Sequence, residues 1–579
     1  MASRFQSLDG QLKEITGSVN SQIQSSISSI NVYAKQIAAF NDAIEKAQGN
    51  ADGKASNDLL DQRDLAVTEL SKEIKTTIVQ QGNSYNVFIG NGQPLVVSTK
   101  AFSLVPTVSP TDPGRAGVGY SSNGEIITLP ESSLPGGKLG GLLEFRANSL
   151  DPALNSLGRV AVGLAMTFNA QHKLGTDLSG SLGGDFFVAA DPRIDPSGAN
   201  DAASDEITAR IVDPDALTTS DYRVRVDSAT TFVVTRLSNN ESLGGGTLGD
   251  IVEIEGVEID TAGTYSVGDE FVVRPTINGA TDFRVAITDI ARIAAAAPVR
   301  TTAPVANKGS GKITPADVNS TVLLRSSQLT LTVPAGGGTL TGFPTDVPFS
   351  VTSGGTTTTY PAGTTGPVPY VAGDTLTIDG VDLSVPTAVG AHTIARPTAT
   401  LTFSGGDLTG FPAGLDLEVT HSDGSVTSYA SVTAATAVAY QTGDTFTFGG
   451  ISFSITGAPA DTDTFVIGAN TNGVGDGRNA VALGALQSAN TLGNGTASYQ
   501  GAYAQLVSAV GNKTRELQVT NQAETKYLEQ AVAAQQAESG VNLDEEATNL
   551  LRYQQAYQAA GKVMQTASQL FELLLSLGT

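Results

Sequence analysis

Residues 542–577 read NLDEEATNLLRYQQAYQAAGKVMQTASQLFELLLSL, and this segment decides how the rest of the chain is interpreted. Its apolar side chains recur in alternating steps of three and four residues, which is the spacing of a coiled-coil seam on an α-helix. Asn542 is the predicted N-cap, and Glu545, three residues later, completes a capping-box-like pair. The members of this C-terminal stripe are Leu550, Tyr553, Tyr557, Ala560, Met564, Ala567, Phe571 and Leu574.

Such a long helix needs a partner. Its own propensity stabilises it only weakly in water, and burial of each large stripe residue is worth roughly 1.5–3 kcal/mol. The plain alternative is a buried helix in a local bundle. We favour packing between subunits or between the two arms of a subunit, because the C-terminal stripe is terminal, long and regular.

The N-terminal part of the chain shows a similar periodicity. After a polar loop at 49–57, a second helix is predicted, with Ser56 or Asn57 as its N-cap. A third helix is predicted over about 150–172, ending at His172, whose imidazole is expected to cap carbonyl groups. The first helix carries an N-terminal seam, which we predict to lie within its own domain and to pack against the helices after Gly477. Its members are Ile23, Ile27, Ile30, Ala34, Ile37, Asn41 and Ile44.

The middle of the chain, from about 207 to 468, consists of short β-runs separated by Gly and Pro. It contains a tandem repeat, because LTGFP at 340–344 returns at 408–412 and GDT at 373–375 returns at 443–445. A related GDEFVV segment at 268–273 closes an earlier unit. A Gly-Asp turn that leads into a strand with alternating core residues explains this pattern.

The predicted fold class is therefore α+β and multidomain. We expect an elongated molecule with a helical coiled-coil or bundle region formed by both ends of the chain and with outward β-sandwich or barrel-like domains. The predicted divisions are an α/β shell domain with long helices at 1–205 and 470–540, a first outer β-domain at 206–302, an inserted outer β-domain with a tandem repeat of ~70 residues at 303–469, and a C-terminal coiled-coil helix of an inner tube at 541–579.

Composition excludes several function classes. The net charge of −24 disfavours nucleic acid, since binding of that kind depends on neutralising phosphates. No cysteine is present, which excludes disulfides and thiol chemistry. No apolar run approaches the ~20 residues that span a bilayer, so membrane insertion is not expected. The N-terminus lacks the layout of a cleaved signal peptide.

Chemical motifs are equally scarce, and we predict no catalytic, cofactor-binding or metal residues. His172, His392 and His421 have no metal-ligand spacing. The loop at 177–185 lacks the alternating oxygen ligands of a calcium loop and is predicted to be a turn. The KGSGK segment at 308–312 fails as a phosphate loop and is predicted to be a flexible linker. Asp461 and Asp463 are interpreted as a solvated entry to a strand.

Several segments resemble one family in the same order along the chain. SGVNLDEE at 539–546, followed by YQQAY at 553–557, resembles the C-terminal signature of flagellar axial proteins. NVYAKQI at 31–37, LLDQRD at 59–64 and FNAQH at 168–172 resemble the flagellar hook-associated FlgK family. Members of this family begin with an N-terminal helical arm that pairs with the C-terminal helix. From this comparison we expect the chain to start after that arm, and 303–469 resembles an insertion.

The resemblance implies a structural subunit of the bacterial flagellum that forms the hook–filament junction and is not an enzyme. It implies an extracellular location, export without a cleaved signal peptide, and assembly by packing of terminal helices after export. The implied partners are identical subunits in a ring, the hook protein, the second junction protein FlgL, and the export chaperone FlgN at the C-terminal region.

The alternative is a secreted β-repeat adhesin or carbohydrate-binding protein that uses the inserted β-domain. Sugar sites usually present aromatic side chains to their ligand. Trp is absent from the chain, and the tandem repeat offers only Tyr360, Tyr370, Tyr429 and Tyr440.

Overall fold

The structure is a computed structural model that describes residues 1–48, 57–122, 124–386, 388–471, 473–540 and 542–577. The chain divides into two compact units, Met1–Leu506 and Val507–Thr579. The predicted α+β multidomain class, with helices towards both ends and β-domains between them, is confirmed. The domain boundaries stay predictions, and the proposed cap Ser56 lies outside the described residues.

Long helices dominate both ends of the described chain. The predicted C-terminal helix is present and begins one residue after Asn542. Short 3-10 turns at Glu131–Ser133, Ile290–Arg292, Val322–Leu324 and Gly473–Gly475 and a π-helical turn at Arg146–Leu150 join other elements. The α-helices are α1 (Ala2–Gln48), α2 (Asn57–Glu73), α3 (Gly137–Phe145), α4 (Asp151–Lys173), α5 (Gly279–Asp282), α6 (Arg478–Ala485), α7 (Tyr499–Ser539) and α8 (Leu543–Leu577).

Two antiparallel sheets follow α2. Their strand orders are β1-β2-β3-β4 and β5-β6-β7, so each sheet is a simple meander. The strands are β1 (Thr76–Gln81), β2 (Ser84–Ile89), β3 (Gln93–Val97), β4 (Lys100–Ala101), β5 (Ser103–Ser109), β6 (Asp112–Ser122) and β7 (Glu125–Leu129).

The N-terminal seam of α1 is fully buried within this region. Ile23, Ile27 and Ile30 share one core with Leu70 of α2 and with residues of both sheets, such as Val87. The intradomain location is thus confirmed, but the expected partner is wrong, because α2, α3 and the sheets cover the seam instead of the helices after Gly477. The pattern of apolar residues identified the buried face of α1 without identifying what covers it.

Asn41 shows why the seam contains a polar position. Its Nδ2 donates to the carbonyls of Tyr85 (2.9 Å) and Ser98 (2.7 Å), while its Oδ1 accepts from the Tyr85 amide (3.1 Å). The side chain therefore satisfies backbone groups of β2 and of the turn between β3 and β4 at once. Asn41 fixes the position of α1 along the sheet in a way that an apolar residue cannot.

The helix α4 is the centre of a second core. Leu157, Ala161 and Leu164 pack there with Tyr499 and Ala502 at the start of α7, and the first turns of α1 lie against the same cluster. Helices after Gly477 thus contact the beginning of α1, ahead of the N-terminal seam.

His172 lies at the end of α4, as predicted, but it does not cap carbonyls of its own helix. The ring is fully buried. Its Nδ1 donates to the Gly184 carbonyl at 2.7 Å, and its Nε2 accepts from the Ala294 amide at 2.8 Å. Burial lowers the pKa of His172, so the neutral imidazole joins two loops to the end of α4.

The first β-domain has two sheets, with strand orders β13-β12-β11-β16-β9 and β10-β15-β14, and β17 pairs with β8 nearby. One core lies between the sheets and includes Phe232, Ile259 and Phe271. The strands are β8 (Phe187–Val188), β9 (Arg193–Pro196), β10 (Thr208–Ile211), β11 (Tyr222–Val226), β12 (Thr231–Arg236), β13 (Glu241–Thr247), β14 (Ile251–Ile254), β15 (Val257–Asp260), β16 (Glu270–Arg274) and β17 (Arg284–Val285).

The inserted β-domain begins with three strands and continues with two copies of one strand pattern. The opening strands are β18 (Val299–Thr302), β19 (Lys312–Ile313) and β20 (Asp317–Val318). The first copy contains β21 (Thr330–Val333), β22 (Thr339–Leu340), β23 (Phe349–Ser353), β24 (Thr356–Tyr360), β25 (Val368–Pro369), β26 (Thr375–Ile378), β27 (Val381–Ser384) and β28 (Gly390–Thr393). The second contains β29 (Ala399–Ser404), β30 (Asp407–Thr409), β31 (Leu417–Thr420), β32 (Val426–Tyr429), β33 (Val438–Ala439), β34 (Thr445–Phe448), β35 (Ile451–Thr456) and β36 (Thr464–Ala469).

Strand pairing is the same in both copies. β21 pairs with β28 as β29 pairs with β36, and β22 pairs with β25 as β30 pairs with β33. The path β24-β23-β26-β27 corresponds to β32-β31-β34-β35. The glycines of the two LTGFP segments also agree, because Gly342 and Gly410 have φ of +95° and +96°, and a Cβ on either would lie 2.3 Å from a strand carbonyl. Only glycine fits there.

Gly-Asp turns recur because the glycine adopts a positive φ and the aspartate carboxylate accepts a hydrogen bond from a backbone amide of the turn. Gly373 has φ +95°, and Asp374 Oδ2 accepts from the Val371 amide at 2.7 Å. Gly443 with Asp444, and Gly268 with Asp269, repeat this arrangement. Each carboxylate satisfies its own turn, so these buried aspartates are structural.

A fourth turn of this kind was missed in the sequence, since Thr462 stands where the glycine would be. Its φ is +76°. Asp463 is only 2% exposed and accepts from the amides of Ala460 (2.8 Å), Lys308 (2.6 Å) and Gly309 (2.9 Å). The predictions of a solvated Asp463 and a flexible 308–312 linker are therefore wrong, because the carboxylate holds that linker in place.

The first and inserted β-domains also share a contact in which an asparagine side chain bonds both backbone groups of one strand residue. Asn200 exchanges two hydrogen bonds with the Glu270 backbone (2.9 and 2.8 Å). Asn307 makes the same pair with the Thr464 backbone (2.8 and 3.0 Å). The GDEFVV segment at 268–273 thus corresponds in structure to 462–467, where Thr462 hides the likeness.

Replacing Thr462 with Gly should stabilise the inserted β-domain by about 1 kcal/mol, because a β-branched residue is strained at positive φ. The free energy of unfolding, measured by urea denaturation and by hydrogen exchange of β36 amides, checks this. The matched change Gly443→Thr should destabilise the same domain. Unchanged or lower stability of Thr462→Gly would contradict this account of the turn.

Candidate assembly surface

The helix α8 begins at a side-chain cap. Asn542 Oδ1 accepts from the Asp544 amide at 3.1 Å, and the Asn542 carbonyl accepts from the Glu546 amide at 3.0 Å. Asp544, Glu545 and Glu546 occupy the first turn, where negative charge interacts favourably with the helix dipole. The reciprocal bond from Glu545 that a capping box requires stays a prediction.

All eight members of the C-terminal stripe lie on α8 and are exposed. The six large ones, from Leu550 to Leu574, are between 65% and 83% exposed. The helical period of 3.6 residues places the stripe along one face of α8. This face contrasts with the N-terminal seam, whose similar spacing is fully covered within its own unit.

A second apolar ridge beside the stripe was missed. Val563 and Leu570 are 68% and 56% exposed, and with Ala567 they border a shallow groove of about 320 Å³. At 100° per residue, Met564 and Leu570 lie about 120° apart around the helix. The seven-residue step from Val563 to Leu570 was the available signal. The second half of α8 thus presents an apolar face wider than a simple two-helix seam.

The helix α7 also carries exposed apolar side chains within the second unit. Val507, Val510 and Leu517 follow one another in steps of three and seven, and each is exposed. Its ion pairs Lys513–Glu516 and Lys526–Glu529 lie on the surface, where such pairs contribute little stability. The second unit therefore offers apolar contact surface on both of its helices.

Within the residues that the structure describes, no group of three His, Asp or Glu side chains could hold a metal ion. No helix in the described ranges is long and apolar enough to cross a bilayer. Elsewhere, Asp177 closes the predicted turn by accepting from the amides of Ser179 (2.8 Å) and Ser181 (3.0 Å).

Three family models match separate parts of the chain. Residues 1–187 match "Flagellar hook-associated protein FlgK helical domain". Residues 197–275 match "Flagellar hook-associated protein 1, D2-like domain", and residues 535–577 match "Flagellar basal body rod FlgEFG protein C-terminal". The last match covers the whole of α8.

Relatives and a solved structure agree with these models. Flagellar hook-associated protein 1 of Salmonella typhimurium is 28% identical over the whole chain and 75% of its own length. The Escherichia coli protein of that name is 36% identical over 51% of the chain and 54% of its own length. The flagellar hook junction protein FlgK from Burkholderia pseudomallei is 33% identical, covers 92% of this chain and 87% of its own, and has a TM-score of 0.68. These relatives give the adhesin alternative no support.

Replacing Asn542 with Ala should destabilise the first turn of α8 by about 1 kcal/mol, since the Asp544 amide loses its acceptor. Hydrogen exchange of the amides at 543–549 in the full chain should become faster. Asn542→Asp keeps an acceptor at this position and serves as the matched control. Equal exchange in the alanine variant and the wild-type chain would refute the cap.

Proposed function

Because the chain belongs to the family of flagellar hook-associated protein FlgK, we propose that it is a structural subunit of the junction between the flagellar hook and filament. The observation that supports its mode of assembly is the exposed C-terminal stripe of α8. The subunit acts through shape and contact, without a reaction. Its proposed location is the extracellular part of the flagellum.

Assembly buries the C-terminal stripe. Six large side chains at about 1.5–3 kcal/mol each offer a gross gain of roughly 9–18 kcal/mol. Loss of translational, rotational and side-chain freedom offsets part of this gain. The partner is a helical segment, either a neighbouring subunit or an N-terminal arm of the type found in the family. A helix suits this role because it satisfies its own backbone groups before its side chains are covered.

The second ridge of α8 supports contact with more than one neighbour. Val563 and Leu570 lie to one side of the centre of the stripe, so a partner helix centred on the stripe would cover them only in part. A closed ring of identical subunits supplies two neighbours to each copy. We assign the C-terminal stripe to one of these contacts and the second ridge to the other.

The remaining partners follow from the family. The ring contacts the hook protein on one side and the junction protein FlgL on the other. The chain leaves the cell unfolded and without a cleaved signal peptide, and an export chaperone of the FlgN type covers the C-terminal region beforehand. A terminal helix that is stabilised by neighbours suits a segment that orders on assembly.

Replacing Leu550, Tyr557 and Phe571 together with Asp in the full-length gene should abolish swimming, because each buried carboxylate would oppose packing. Filaments attached to hooks, counted by electron microscopy, should disappear, while the melting transitions of the β-domains stay unchanged. Secreted protein in the medium, measured by immunoblot, separates failed assembly from failed export.

A matched control places the same three charges on the opposite face of α8, by Gln555→Asp, Gln558→Asp and Gln569→Asp. These positions are exposed and belong neither to the C-terminal stripe nor to the second ridge, so swimming should persist. Normal swimming of the stripe variant would refute its role in assembly, and equal loss in both variants would assign the effect to charge alone.

A further inference from the structure

A polar cavity of about 270 Å³ lies between α4 and the first β-domain. The helix contributes Asp151 and Asn155, β6 contributes Arg115, and the β-domain contributes Asp221 and Arg274. The cavity therefore lies where the helical region meets its neighbouring sheet, and its walls carry two carboxylates and two guanidinium groups.

The two guanidinium groups are already neutralised by other carboxylates. Arg115 pairs with Glu131 at 3.0 Å and with Asp151 at 2.5 Å. Arg274 pairs with Asp112 at 2.8 Å and with Asp195 at 3.1 Å. Asp151 is thus committed to Arg115, and both cations are held by acidic partners of their own.

Asp221 is different, because its neighbour is a neutral amide. Asn155 Nδ2 donates to Asp221 Oδ1 at 3.0 Å and to the Thr219 carbonyl at 3.1 Å. Within the described residues, no Lys, Arg or His nitrogen lies within 4.0 Å of the Asp221 carboxylate. An ionised Asp221 is therefore the charge in this cavity that lacks a close counter-ion.

Asn155 supplies an independent sign of a missing proton. It is only 4% exposed, and its Oδ1 is buried without a hydrogen-bond donor. An unsatisfied buried acceptor is costly. An amide that donates to one oxygen of a carboxyl group can accept from the O–H on the other oxygen, in the cyclic pairing of amide and carboxylic acid. A proton on Asp221 would thus give the Asn155 Oδ1 a donor and would also remove the negative charge that has no close cation in the described chain.

We propose that Asp221 is a proton-binding site at this junction, and that its protonation fastens the first β-domain to α4 in mildly acidic surroundings. The neutral carboxyl group pairs with Asn155 in both directions. When the proton leaves, the carboxylate becomes an unbalanced charge between two packed elements, and the junction opens more often.

The direction of the pH effect follows from the groups around Asp221. Burial raises the pKa of Asp221, and the charge of Asp151 also raises it, while Arg274, the Asn155 hydrogen bond and Arg115 lower it; the net result is a pKa of about 6. The open junction restores the ordinary pKa of 3.8. Because the closed form binds the proton more tightly, closure is favoured as pH falls from about 6 towards 4 and is lost as pH rises through 6. Between pH 7 and pH 5 the ratio of closed to open forms should rise about tenfold.

Hydrogen exchange of the full chain tests this proposal. Protection factors for peptides covering 147–158 and 217–224, corrected for intrinsic exchange, are compared at pH 5 and pH 7. Wild-type protection should be about tenfold higher at pH 5. Asp221→Asn keeps a neutral side chain that can donate and accept, so its protection should be high at both pH values.

The matched control is Asp227→Asn, an exposed carboxylate beyond the other end of β11, which should behave as the wild-type chain does. Equal wild-type protection at both pH values would overturn the proposal, as would persistent pH dependence in Asp221→Asn. Repeating the pH 7 measurement in sodium chloride and in choline chloride at equal ionic strength provides a further arm. Protection that appears with sodium alone would assign Asp221 to a cation and also overturn the proposal.

Discussion

Burial of apolar ridges on long helices is the constraint on which this molecule depends. The N-terminal seam and the C-terminal stripe have nearly the same spacing, yet the first is fully buried by its own unit and the second is exposed. A covered ridge holds its own unit together, whereas we propose that the uncovered ridge is a site of association. The chain combines a covered and an uncovered ridge, as the proposed assembly of subunits through terminal helices would require.

Buried polar groups supply the specificity that apolar packing lacks. Asn41 fixes α1 against a strand and a neighbouring turn, His172 joins two loops to α4, and Asp463 holds the start of the inserted domain. Each makes hydrogen bonds that a displaced neighbour would lose, so each selects one arrangement of the elements around it. Asn155 and Asp221 differ from these three, because the Asn155 Oδ1 is buried without a donor and, among the described residues, the Asp221 carboxylate has no close cation.

The sequence was sufficient to predict elements with a strong apolar periodicity or with clear capping and turn residues at their ends. The helix predicted at 542–577 occurs at Leu543–Leu577, and the helix predicted at about 150–172 occurs at Asp151–Lys173. The family resemblance, which rested on ordered short segments, is confirmed. Periodicity failed to name the partner of the N-terminal seam, because apolar spacing records which face is buried and contains nothing about the covering element.

Other errors came from residues whose role depends on distant backbone. Asp463 looked like a solvated acidic residue because its three donors come from two separate segments, and Thr462 concealed a turn that normally carries glycine. For the candidate surface, the stripe followed from residue spacing alone. The second ridge became apparent only from the angular positions of the residues around the helix axis. Val563 and Leu570 give a single seven-residue step, which is a weak signal in the sequence and gains meaning only beside Met564 and Phe571.

An exposed apolar ridge also has to avoid indiscriminate association. Two of the six large residues of the C-terminal stripe are tyrosines, whose hydroxyl groups remain hydrated at the surface. Two further positions are alanines, which expose little area while permitting close approach of another helix. The net charge of −24 adds a general repulsion between free copies that weak, partial contacts cannot overcome. Contact along the whole ridge can overcome it, since the gain from burial grows with covered area while repulsion between exposed charges is screened by salt within about 10 Å. Under the proposed function, the same residues would disfavour random aggregation and favour one extended contact in a fixed register, as orderly addition of subunits requires.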